Sequence, residues 1–118
     1  MTTTKAKKTF KTMRGMEMTA NKLMSAINGG FKMFYEPASV EINRSCCKYI
    51  EVEVGNRNTY MLTMVEVDIV REVVNDLLKG YSKDCWYIKF DTTPIYCPGT
   101  ESFLHIPTMV IVLILENI

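Results

Sequence analysis

The chain has 118 residues, 47% of them hydrophobic and 23% charged, which fits one soluble globular domain large enough for its own core. Its most apolar run, Met109 to Leu115, is far short of the roughly twenty residues of a membrane-crossing helix. The start, Met1-Thr-Thr-Thr-Lys-Ala-Lys-Lys, has no apolar stretch after its charges, so neither a secretory signal nor a membrane span is expected, and the cytoplasm is the expected location.

The formal net charge of +1 hides a polar molecule. Residues 1–35 hold seven Lys/Arg against one acid, a net of +6, whereas residues 36–118 hold seven against twelve, a net of −5. A basic terminal segment on an acidic body is suited to a polyanion or to an acidic protein surface. It also allows head-to-tail self-association, so a homo-oligomer is expected.

Residues 1–8 are polar and basic and read as a flexible tail, followed by a single domain over 9–118. From Phe10 to Ile27 the apolar residues Phe10, Met13, Ala20, Leu23, Met24 and Ile27 recur at helical spacing, with Glu17 intruding. The opposite face carries Lys7, Lys11, Arg14, Met18, Lys22 and Ser25. Thr9 can cap one long helix, or Thr19 a shorter one over Ala20–Asn28 after a break at Gly15. The split version is favoured, since Gly inside a helix costs about 1 kcal/mol against Ala. Gly29-Gly30 is the expected helix end. Phe31–Tyr35 reads as a short strand stopped at Glu36-Pro37, and Val40–Asn43 as another short strand or part of a loop.

Lys48–Val67 reads as a hairpin. Ile50, Val52 and Val54 alternate with Glu51 and Glu53, Gly55–Asn58 supplies the turn, and Thr59–Val67 is the return strand. Asp68 is the expected cap of a second helix, with Val70, Val73, Val74, Leu77, Leu78 and Tyr81 on one stripe and Gly80 at its end. Trp86–Asp91 is a strand with Trp86, Ile88 and Phe90 on one face. Thr93–Pro107, with three prolines and a glycine, reads as a long loop holding at most a brief strand. Thr108–Glu116 is a strand apolar enough to be central and covered on both faces. The order implies an α+β fold, an antiparallel or mixed sheet of four to six strands with two helices packed on it.

The chemistry-bearing residues are few. Cys46, Cys47, Cys85 and Cys97 include no C-x-x-C pair, and His105 is the single histidine, so reduced thiols and no metal or cofactor are expected. Cys97 and His105 are in the right order for a thiol nucleophile and its base, but no catalytic signature surrounds them. The acid pairs Glu51/Glu53 and Glu72/Asp76 read as solvated faces of a strand and a helix. Gly29-Gly30 follows a helix, the reverse of a phosphate-cradling loop.

The basic face therefore carries the functional expectation. It is a non-enzymatic binding module in which Lys5, Lys7, Lys8, Lys11, Arg14, Lys22 and Lys32 engage a nucleic acid or nucleotide, with Asn21 or Ser25 adding hydrogen bonds. The competing expectation is a protein-interaction or inhibitor module acting as an oligomer. The small Lys/Asn/Thr/Met-rich composition is in keeping with a phage or viral accessory protein.

Overall fold

The computed structural model describes residues 7–46 and 48–116, and for residues 44–46 the backbone alone. In chain order it forms helix α1 (Met13–Phe31), strands β1 (Ser39–Cys46) and β2 (Tyr49–Gly55), helix α2 (Met64–Leu78), a short 3-10 turn (Lys83–Cys85), and strands β3 (Trp86–Cys97) and β4 (Ser102–Ile114). The sheet is four-stranded and antiparallel throughout, in the order β1-β2-β4-β3. The fold is α+β, as expected.

α1 is one helix. Thr12 caps it, its hydroxyl accepting from the Gly15 N–H at 3.0 Å, so the expected break at Gly15 and the caps at Thr9 or Thr19 are replaced. Gly15 lies in the first turn, where a cap offsets its propensity cost. The helix also runs through Gly29-Gly30 to Phe31. Phe31 is buried and tilts against Phe34 at 6.0 Å. The aromatic run Phe31–Tyr35 is thus the last helical turn and a loop, not a strand.

α2 is capped by Thr63, five residues before the expected cap Asp68. Thr63 and Glu66 form a reciprocal capping box, and the buried Glu66 also accepts from the Ala38 N–H at 3.0 Å. That anchor draws residues 59–67 out of the expected return strand; β2 pairs instead with β1 and β4. The turn after Gly55 is present. The Asn56 side chain accepts from the Asn58 and Thr59 N–H groups and donates to the Glu36 carbonyl. At the other end the helix stops with Lys79 as its cap, one residue before Gly80.

Both helices cover one face of the sheet. Met16, Ala20, Leu23, Ile27 and Phe31 of α1 and Val67, Val70, Val74 and Leu78 of α2 join Ile50, Val52, Val54, Met109, Ile111, Leu113 and Trp86 in one core. Phe10 closes its end, stacked on Tyr81 at 4.6 Å and bridged to Leu115. β4 is central, as expected, yet among the described residues no helix covers its second face. There Val110 and Val112 are only 3% exposed, flanked across the ladder by Glu53 and Lys89, and by Glu51 and Tyr87.

The main correction concerns Thr93–Pro107. The β3–β4 ladder runs unbroken from Trp86↔Leu113 to Cys97↔Ser102, whereas β2 reaches only Thr108 of β4. Residues 92–107 therefore form a two-stranded arm of six residue pairs projecting past the sheet, about 20 Å of ribbon at strand rise. Its prolines are tolerated because Pro94 is on an edge strand and Pro107 lies beyond the end of β2, so no interior ladder loses a donor. The radius of gyration, 15.9 Å, exceeds the roughly 13.5 Å of a compact chain this long.

Candidate functional site

The predicted basic residues fall into two groups. Lys7, Lys8 and Lys11 surround the entry to α1, where a shallow recess of about 320 Å³ is also lined by Thr9, Tyr81 and Glu116. Lys8 is fixed by its backbone, donating to the Gly80 carbonyl at 2.9 Å and accepting from the Ser82 N–H at 2.8 Å. Lys5 lies outside the described residues.

Arg14, Lys22 and Lys32 mark the outer face of α1. At about 100° per residue, Arg14, Met18, Lys22, Ser25 and Lys32 occupy a sector of roughly 80°, diametrically opposite the buried Met16–Ala20–Leu23–Ile27–Phe31 row. All the predicted cations that are described are exposed. Among the described residues none of Lys11, Arg14, Lys22 and Lys32 joins an ion pair; the pairs are Arg57–Glu41, Lys89–Glu51 and Lys89–Asp91, all on the other side of the sheet. The row from Arg14 to Lys32 is about 27 Å long at 1.5 Å per residue. Beside it, Asn21, Lys22, Ser25 and Ala26 line an open groove of about 490 Å³ against Leu77 of α2. At the far end of the row Lys32 is followed by Met33 and Tyr35, which are 96% and 98% exposed.

The remaining candidates take structural places. Glu51 pairs with Lys89 at 3.4 Å, and this contact holds the Lys89 ammonium above its ordinary range. Glu53 accepts from Asn43 and, at 2.6 Å, from the Thr93 hydroxyl. Both carboxylates thus lie in a polar layer over Val110 and Val112. Cys97 pairs with Ser102 while His105 pairs with Pro94. Thiol and imidazole are therefore three ladder steps apart and on opposite faces of the arm, about 10 Å along the ribbon, so the nucleophile–base pair is not assembled. Cys85 is buried, donates to the Ser82 carbonyl at 3.0 Å, and has its thiol pushed up chiefly by burial. Cys47 lies outside the described residues. No helix among the described residues is long and apolar enough to cross a membrane.

The arm is the feature that sequence reasoning missed. It exposes Tyr96 and Phe103, ring centroids 5.5 Å apart, with Leu104 on the reverse side. The alternation of Ile95, Cys97 and Leu104, Ile106 was the available signal, masked by the prolines. Comparison of the chain with family models, curated proteins and solved structures finds no match.

Proposed function

We propose that the chain is a non-enzymatic binding module that engages an extended polyanion, a nucleic acid, along the outer face of α1. The observation that supports this reading is the row of exposed cations opposite the buried face that join no ion pair among the described residues. Its length of roughly 27 Å suits a phosphate backbone better than a single nucleotide, and the adjoining groove is too open to enclose a base. Arg14, Lys22 and Lys32 with Lys11 contact phosphates, and Asn21 and Ser25 add hydrogen bonds.

Fluorescence anisotropy with labelled single- and double-stranded DNA across salt tests it. Four phosphate contacts predict a log–log salt slope of about −3 to −4, and Arg14→Glu with Lys22→Glu should flatten it by about 2. No binding at low salt, or binding indifferent to the Arg14 and Lys22 changes, overturns the proposal.

A further inference from the structure

A two-stranded ribbon is marginal in water without a third strand or a packing partner. Beyond the Thr93–Glu53 bond and the buried Ile106 at its root, the arm at residues 92–107 has neither among the described residues of one copy, yet it is built from apolar residues on both sides. Tyr96 is 52% and Phe103 64% exposed on the side that continues the helix-covered face, and Leu104 is 39% exposed on the other. Glu101, in the tip turn, is its only Asp, Glu, Lys or Arg. With a single formal charge, such a surface matches an apolar recess better than a polyanion or a charged partner.

The chain carries such a recess at the same end of the sheet. The loops after α1 and after β2 enclose an open hollow of about 500 Å³, whose apolar lining includes Phe34, Tyr35, Met61 and Val65. Met61 is 64% and Val65 57% exposed. One of these loops starts from Gly55, which pairs with Thr108 at the root of the arm. There Gly55 allows close approach: a Cβ would come within 3.0 Å of the Thr108 methyl.

We propose that the arm of one copy packs into the Tyr35–Met61–Val65 recess of a second copy, the two related by a two-fold axis. Because arm and recess share one end of the molecule, a single two-fold operation satisfies both at once and closes the assembly as a dimer. The area suffices. The exposed fractions of Phe90, Tyr96 and Phe103 offer roughly 350 Å² at about 200 Å² per ring. With Leu104, the arm prolines and the recess residues the total passes the approximately 800 Å² per partner of a standard interface. The contact is apolar, so added salt leaves it intact, whereas association driven by the +6/−5 charge split would dissolve.

Light scattering after size exclusion tests this at low and high salt. The expected mass is twice 13.6 kDa at both. Phe103→Glu and Val65→Glu change exposed side chains, so each should leave the circular dichroism of the fold intact and return the protein to monomer. Trp86 emission checks the core independently. A monomer at every concentration up to about 0.1 mM overturns the proposal, as does a dimer that ignores both substitutions or that falls apart in high salt. A dimer lost with Phe103→Glu but kept with Val65→Glu overturns the assignment of the recess. DNA binding by α1 enters none of these readouts.

Discussion

Gly29 and Gly30 are neighbours in the last turns of α1, and neither has a positive φ, so both pay the helix cost of glycine and both would gain from alanine by propensity alone, by up to about 0.8–1 kcal/mol in a helix interior and about half that near its end. Their surroundings differ. A Cβ on Gly29 meets nothing within 4 Å, while one on Gly30 would lie 2.6 Å from Cγ2 of Ile69 on α2. Gly29→Ala should therefore stabilise the protein by about 0.5 kcal/mol. Gly30→Ala must push α2 away or force Ile69 off its rotamer, an overpacking cost of about 1–3 kcal/mol against the same small gain. The two variants should differ by about 1–3 kcal/mol, or about 3–12 °C in melting temperature for a chain of this length. Thermal unfolding followed through the single tryptophan, Trp86, measures the difference directly. Equal melting temperatures, or a stabilised Gly30→Ala, would refute the reasoning that Gly30 sets the separation of the two helices.

Three further outcomes follow from the packing and charges. Glu66→Gln places an amide N–H₂ against a backbone donor at either Ala38 or Thr63, so urea unfolding should show a loss of about 1–3 kcal/mol; a loss below about 0.5 kcal/mol would mean that the carboxylate is not the anchor of α2. In native protein at neutral pH, Cys85 should resist alkylation while Cys97 reacts, and Cys85 should label only on unfolding, as mass spectrometry of the peptides would report. The raised Lys89 contributes stability that is complete below the unfolded lysine value near 10.4 and is lost as pH climbs through its higher folded value. The stability gap between wild type and Lys89→Met should thus be constant from neutral pH to about 10 and close above it; a gap that closes below pH 9 would point to another group.

The sequence makes the α2 stripe plain because period 3.6 recurs over three turns, and it makes the alternation of Ile50, Val52 and Val54 equally plain. It hides the start of α2, since Tyr60, Val65 and Val67 have strand propensity and outvote the Thr63-x-x-Glu66 capping box. What decides the matter is a contact 28 residues away, Glu66 with Ala38, which no local pattern encodes. The arm was obscured for the opposite reason. Its prolines are local breakers, and they are harmless only because of where the sheet ends, a fact of topology. The basic row was legible as a periodic pattern; its straight course through Gly15, Gly29 and Gly30 was not, because the cap at Thr12 and the packing against α2 override weak propensity. The recess draws its wall from Phe34 and Tyr35, whose aromatic run imitates a strand.

The position of β4 has a consequence for how the chain is made. β4 lies between β2 and β3, comes last of the four strands in chain order, and supplies the inner edge of both. Until Thr108–Ile114 has left the ribosome, the β1–β2 hairpin and the two helices have no platform, and Ile50, Val52 and Val54 line an open edge. Formation of the sheet must therefore wait for β4, slowed by contacts such as Phe10 with Leu115, which are far apart in sequence. A nascent chain halted before residue 108 exposes a sticky hairpin to chaperones and proteases, and has no route to the native sheet.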